Sequence, residues 1–219
     1  MSKTLKKIDT YAFNNSGISS AEVPDTCYWI GDYAFSNCKN LKTVTIGTGI
    51  KRLPPYMLAY SQVSKFNIPS GVKFIHTNAF SGAPKLDVTL DEKNPYFVAK
   101  DQDIYSKATN TLICTYGALP ELYKIPDGIE VIPKGTLQTN METVQTPTGS
   151  FYTGVSAARL VIPDSMKIID TTSIWPMFTT CYNGKYFLFN GATVHGYAGD
   201  AYFNPTLFGA NIELSLIHI

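Results

Sequence analysis

A core-sized side chain recurs in this chain at an almost fixed interval, and that interval restricts the fold more than any other feature. Phe13, Phe35, Leu58 and Phe80 follow one another at steps of 22, 23 and 22 residues. Five residues ahead of each anchor stands an aliphatic (Ile8, Ile30, Leu53, Ile75) and three residues after it a small side chain (Ser16, Cys38, Ser61, Ala83). Cys27, Ile50 and Val72 precede the last three aliphatics by three positions. Each unit closes on two apolar residues two apart: Ala21 and Val23, Val44 and Ile46, Phe66 and Ile68, Val88 and Leu90. Pro24, Gly47 and Pro69 follow the first three of these pairs. So many columns in register mark a stack of similar coils rather than a fold closed on itself.

The chemistry of one unit shows why it must stack. In "KTVTI" the apolar and polar residues alternate, so Val44 and Ile46 face one side while Thr43 and Thr45 face the other, as in a half-buried strand. The Pro or Gly that follows ends the strand, since Pro cannot donate to a ladder. The Ile-x-x-x-Ala-Phe segment then turns the chain and returns an aromatic to the interior. One unit cannot cover its own apolar face. Stacked units can, if each strand pairs with its equivalent one coil away at about 4.8 Å. Each large side chain buried in such a column contributes roughly 1.5–3 kcal/mol.

The columns resume twice further on. "YKIPDGIEVIPKGTL" places Ile125, Pro126, Ile129, Ile132 and Leu137 in matching slots, and "LVIPDSMKIIDTTSI" places Leu160, Ile162, Pro163, Met166, Ile169 and Ile174. The aliphatic slot advances 57 residues from Ile75 to Ile132 and 37 from Ile132 to Ile169, so each gap carries extra chain.

The pattern resembles the BspA-like leucine-rich repeat family, whose units read approximately L-x-x-I-x-I-P-x-x-V-x-x-I-G-x-x-A-F-x-x-C. "LKTVTIGTGIKRL" and "IGDYAFSNC" match it almost slot for slot. The resemblance covers about residues 5–175, with Leu58 and Leu137 in place of the aromatic and Gly47 in place of Pro. It implies a β-rich solenoid of the leucine-rich-repeat type, in the α/β horseshoe class. A parallel β-sheet lies on one face and short helical or irregular turns on the other. The stretch "DEKNPYFVAKDQDIYSKATNTLICTYGAL" is similar to an insertion known in that family. It predicts a β-hairpin with Ile104, Tyr105, Leu112 and Ile113 in strands around "KATN".

The expected organisation is a solenoid over residues 1–174 with insertions at about 91–122 and 139–158. Residues 175–219 form an atypical terminal unit or cap. The Thr-, Gly- and Ser-rich 139–158 stretch is read as a polar loop. "ATVHGYAGDAY" resembles the family's terminal unit, while the last residues, "ELSLIHI", fit no column and need not be native. A start inside a unit suggests an excerpt of a longer protein.

Composition excludes several functions. Eighteen basic and seventeen acidic residues leave a net charge of +1, which is no electrostatic footprint for nucleic acid. No apolar run has the length of a membrane span, and no apolar segment follows the N-terminal basic residues as in a signal peptide. Cys27, Cys38, Cys114 and Cys181 lack CxxC spacing and read as buried free thiols.

Residues that could carry chemistry are few. His76, His195 and His218 lie far apart, and His76 is expected in an exposed turn. "GTGIKR" begins like a phosphate loop but occupies the Pro slot of a repeat. Asp101 and Asp103 form too small a set for a calcium loop. "NNS" at 14–16 fits the glycosylation pattern. Tyr11, Tyr33, Tyr56 and Tyr60 flank the anchors and read mainly as amphipathic packing, the alternative being that a minority form a contact strip, since Tyr is enriched at recognition surfaces. No catalytic, cofactor-binding or metal site is expected.

The sequence therefore points to a non-enzymatic interaction or adhesion module. Its expected contact face is the run of outward strand positions Glu22, Thr45, Asn67, Thr89 and Lys124, with Val161 beyond. The expected partner is a protein or glycan, with no nucleic acid and no membrane span in this chain. The resemblance alone implies a cell-surface or secreted location. The alternative is a structural spacer that holds another domain away from the cell surface.

Overall fold

The structure is a computed structural model describing residues 1–120, 122–133, 136, 141–146, 149–154, 159–161, 163, 165–170, 187–188, 193–197 and 214–215. The expected slots at Leu137, Ile162 and Ile174, together with Cys181 and His218, lie outside the described residues.

The first four coils supply eight strands: β1 (Lys7–Ile8), β2 (Ser20–Val23), β3 (Trp29–Ile30), β4 (Thr43–Ile46), β5 (Arg52–Leu53), β6 (Lys65–Ile68), β7 (Phe74–Ile75) and β8 (Asp87–Leu90). The longer strands show the alternation expected of them, with Ala21, Val23, Val44, Ile46, Phe66, Ile68 and Val88 buried. β2 pairs with β4 in parallel, and β6 with β8, at the repeat register Glu22↔Thr45 and Asn67↔Thr89.

The sequence led us to expect one parallel sheet; each coil in fact contributes to two. β1 pairs with β3 and β5 with β7, both in parallel, through the residues of the Ile8, Ile30, Leu53 and Ile75 column. These strands are two residues long, too short for alternation to reveal them. The remaining side of each coil is the Ala-Phe turn. Its backbone also reaches the next coil, as Phe13 N–H donates to Ala34 O (2.9 Å), Phe35 N–H to Met57 O (3.1 Å) and Tyr56 N–H to Asn78 O (2.8 Å). Among the described residues no helix occurs, so these turns are irregular rather than helical.

Over the first four coils the expected columns meet in one core. Phe35, Leu58 and Phe80 are fully buried beside Ile30, Leu53 and Ile75, and half-buried Phe13 packs against the same cluster. The Phe13 and Phe35 rings stack at 5.4 Å, inclined by 5°. The small column matters because it lies against backbone: the Cys38 thiol donates to Phe13 O at 2.9 Å. Cys27, Cys38 and Cys114 are buried free thiols, as expected.

The first insertion is a three-stranded antiparallel meander, β9 (Phe97–Lys100), β10 (Asp103–Ser106) and β11 (Leu112–Thr115). It contains the expected hairpin plus one strand. Asp101 and Gln102, both at positive φ (53° and 73°), make the tight β9–β10 turn that suits twisted strands. Asn94 joins the meander to the coils. Its buried side-chain amide donates to Pro69 O (3.1 Å) and Val72 O (3.2 Å), and its oxygen accepts from the backbone N–H of Tyr96 (2.9 Å) and Phe97 (3.2 Å).

Beyond it come β12 (Leu122–Lys124), β13 (Val131–Ile132), β14 (Met141–Thr146), β15 (Gly149–Gly154), β16 (Arg159–Val161) and β17 (Ile168–Asp170). The 139–158 stretch, expected as a polar loop, contains an antiparallel hairpin, β14 with β15, in the register Met141↔Gly154 to Thr146↔Gly149. Its Thr, Val, Phe and Tyr residues favour extended backbone despite the polar composition. This hairpin stands outside the coil, because β12 pairs directly with β16 and β13 with β17, both in parallel. Lys167 N–H to Glu130 O (2.8 Å), Ser165 Oγ–H to Ile129 O (2.8 Å) and the Lys167–Glu130 ion pair (2.6 Å) stitch the two coils across it. In 175–219, β18 (Phe187–Leu188) extends the β12–β16 ladder, while β19 (Thr193–Tyr197) and β20 (Leu214–Ser215) extend the β13–β17 ladder. Part of "ELSLIHI" thus pairs in parallel, although the sequence shows no column for it.

Candidate interaction surface

Both ladders present an outer face to solvent. On the long-strand ladder Glu22, Thr45, Asn67 and Thr89 are all exposed, at matching positions of successive coils. The Asn67 amide donates to Thr89 Oγ1 at 3.0 Å. Lys124 is exposed too, but its strand pairs with β16 at Val161 and belongs to a separate sheet. The structure therefore unites four of the five expected face residues in two paired sheets and leaves Lys124 apart.

The tyrosines, for which the sequence offers packing or a contact strip, form a stacked column. Tyr11 and Tyr33 stack at 5.0 Å, Tyr33 and Tyr56 at 4.8 Å, and the Asn78 amide donates to Tyr56 Oη at 3.0 Å in the same column. All three tyrosines have positive φ, between 55° and 60°. The next left-handed column holds Asn15, Asn37, Tyr60 and Gly82. A bulky side chain is uncommon in this conformation. Here inter-coil hydrogen bonds at the same residues, such as Asn37 N–H to Ala59 O (2.7 Å), hold the backbone. Burial, and then the neighbouring phenols, raise the Tyr33 pKa. Beside this column lies an open recess of about 430 Å³, bordered by Asn14, Tyr33, Ser36, Asn37, Lys39 and Tyr60.

The other sequence candidates have structural explanations. In "GTGIKR" the glycines allow coils to approach closely. A Cβ on Gly47 would sit 2.5 Å from Asp25 N, and one on Gly49 2.2 Å from Asp25 O. The Asp25 carboxylate accepts from Thr48 N–H (2.7 Å) and Thr48 Oγ1 (3.0 Å), which hold its pKa below the ordinary value. Asp101 is exposed in its turn, whereas Asp103 is buried and accepts from the Tyr123 hydroxyl. Burial pushes Asp103 up to about 7 and also raises Tyr123. The two acids thus face different surroundings and make no cation loop.

His76 is half-buried rather than exposed. Its Nδ1 accepts from Asn78 N–H at 3.1 Å, and burial, aided by Arg52, lowers its pKa. Asn14 of the glycosylation pattern is half-buried and donates to Ser36 O at 3.2 Å. Among the described residues, no three His, Cys, Asp or Glu side chains cluster as a metal would require, and no helix is long and apolar enough to cross a membrane.

Coils of this length, each giving parallel strands around a shared apolar interior, define a leucine-rich-repeat β-solenoid. Residues 1–87 match the BspA type leucine-rich repeat region in six copies. The fold is similar to that of the pneumococcal vaccine antigen PcpA, at 26% identity and a TM-score of 0.58, covering 75% of this chain and 38% of that one. It is also similar to a leucine-rich cell surface protein from Faecalibacterium prausnitzii, at 19% identity and a TM-score of 0.60, over 94% of this chain and 62% of that one. A leucine-rich repeat protein from Eubacterium ventriosum aligns at 15% identity and a TM-score of 0.59, over 87% and 54% of the respective chains. The chain thus spans between 38% and 62% of the length of these solved relatives. Comparison with curated protein sequences finds no match.

Proposed function

We propose that this chain is a non-enzymatic interaction module of a bacterial cell-surface or secreted protein, which holds a macromolecular partner against the outside of its solenoid. The observation that carries the reading is the open outer face of the long-strand ladder. Glu22, Thr45, Asn67 and Thr89 stand exposed on successive coils. Backbone hydrogen bonds between coils fix these positions before any partner arrives, so little ordering entropy is lost on binding. The face is small and polar, suited to many modest contacts with a protein or a glycan, and exposed Lys124 offers a further contact on the later sheet. Likeness to a vaccine antigen and to a leucine-rich cell surface protein supports display outside the cell.

The test is a binding screen of the chain against glycans and extracellular-matrix proteins. Glu22→Ala/Thr45→Ala/Asn67→Ala/Thr89→Ala serves as the altered-surface control. Binding that this control weakens is the expected outcome. A screen in which no protein or glycan binds would instead favour the spacer role, for which the same rigid stacking suffices.

A further inference from the structure

The short-strand ladder has an outer face of quite different chemistry. At its two outward columns the first coil presents Lys6 and Lys7, and the third presents Lys51 and Arg52. The second coil presents Tyr28 and Trp29, 53% and 43% exposed, and the fourth presents Lys73 and Phe74, the latter 52% exposed. No acidic residue occupies either column over these four coils. In a chain of net charge +1 this is an uneven placement of charge rather than a general excess.

Cations and rings interlock along the face. The Arg52 guanidinium lies 5.7 Å from the Trp29 ring centre and 5.8 Å from that of Phe74. Lys7 Nζ lies 5.7 Å from the Tyr28 ring and Lys73 Nζ 6.0 Å from that of Tyr96, itself 37% exposed. Asp32, at the border, approaches Arg52 at 3.7 Å with both side chains well hydrated, a pair too open to neutralise it.

We propose that this basic and aromatic face docks an extended acidic segment of a partner protein, with carboxylates set against Lys7, Lys51, Arg52 and Lys73 and apolar side chains against Trp29 and Phe74. Charge complementarity sets the sign of the partner. Residue type sets its class, because exposed Trp, Tyr and Arg grouped on a rigid surface are the anchors of protein recognition. Arg52, planar and steadied between two rings, is ready to engage a carboxylate with two parallel hydrogen bonds. A nucleic acid or a polysaccharide would need free ring faces for stacking. Here Arg52 already lies over Trp29 and Phe74 and takes up ring surface that such stacking would use. The proposal rests on the reading of the chain as an interaction module, but it concerns the other ladder.

The test uses the full chain and a fluorescent peptide alternating Glu with Leu, compared with poly-glutamate, heparin and single-stranded oligo-thymidine. The peptide is expected to bind more tightly than the other three. Arg52→Glu and Trp29→Ser should each weaken it about tenfold or more, while Lys65→Glu, a matched charge reversal at an exposed position of the other ladder, leaves it unchanged. Lys7→Glu/Lys51→Glu repeats the test should Trp29→Ser lower the melting temperature. Tighter binding of heparin or oligo-thymidine would make this a polyanion site and overturn the proposal. So would peptide binding indifferent to Trp29, which is plain charge attraction, or no binding at low salt. A partner captured only through Glu22, Thr45, Asn67 and Thr89 would sink this inference while leaving the interaction module standing.

Discussion

Replacing Phe35 with Ala tests the stacked core most directly. Phe35 is fully buried, its ring lies 5.4 Å from that of Phe13 in the preceding coil, and its N–H reaches Met57 O in the following one. A buried Phe removes about 150–250 Å² from water, and at about 25 cal/mol per Å² its removal forfeits several kcal/mol. Ala recovers part of that, a residual cavity adds to it, and measured Phe→Ala losses of about 3–5 kcal/mol set the expectation. Part of the loss, about 0.5–1.5 kcal/mol, belongs to the ring pair. Half-buried Phe13 should lose roughly half as much as Phe35 on the same substitution. A double-mutant cycle between the two should return the ring term as their coupling. Urea unfolding followed by circular dichroism supplies the values, with Thr45→Ala as the exposed reference, expected within about 0.5 kcal/mol of the parent. A Phe35→Ala loss under about 1 kcal/mol, or one equal to that of Thr45→Ala, would refute the shared interior.

Three further outcomes follow from particular contacts. Gly49→Ala, whose Cβ would meet Asp25 O at 2.2 Å, should cost more than about 2 kcal/mol in a thermal melt, because both groups are backbone and neither can swing aside. Asn94→Ala strips partners from two buried carbonyls and two N–H groups, and should cost about 2–4 kcal/mol by urea unfolding while loosening the meander first, as hydrogen exchange would show. Asp103 holds its proton in the folded chain up to about 7, well above the ordinary value of 3.8, so this group favours folding at low pH. That advantage should decline as pH rises from about 4 to about 7 and then level off, by on the order of 4 kcal/mol in total. Subtracting the Asp103→Asn stability curve from the parent curve isolates the effect; a difference that grows with pH would contradict the burial argument.

Much of this fold was legible because the repeat writes each core position several times. One Phe in an Ala-Phe pair says little, but Phe13, Phe35, Leu58 and Phe80 at nearly constant steps identify a column, and the Val44–Ile46 alternation identifies its strand. The second ladder was not legible, since Lys7–Ile8 or Arg52–Leu53 is too brief to carry a period. The basic and aromatic face was missed for the same reason: without those strands, Trp29, Arg52 and Phe74 had no common direction. The left-handed tyrosines were also invisible. Positive φ is foretold by Gly or Asn, and in these two columns Asn15, Asn37 and Gly82 alone gave that signal, whereas Tyr60 shares their column. Burial of Asp103 required the tertiary partner Tyr123, twenty residues along, which no local motif announces.

The strands flanking the 139–158 stretch bond directly to one another as though nothing lay between them. A coil boundary of this kind is a tolerant seam, where lineages can lengthen, shorten or exchange an excursion without altering the spine. A longer or shorter excursion at such a seam changes how far the chain projects there and leaves the supporting column unchanged.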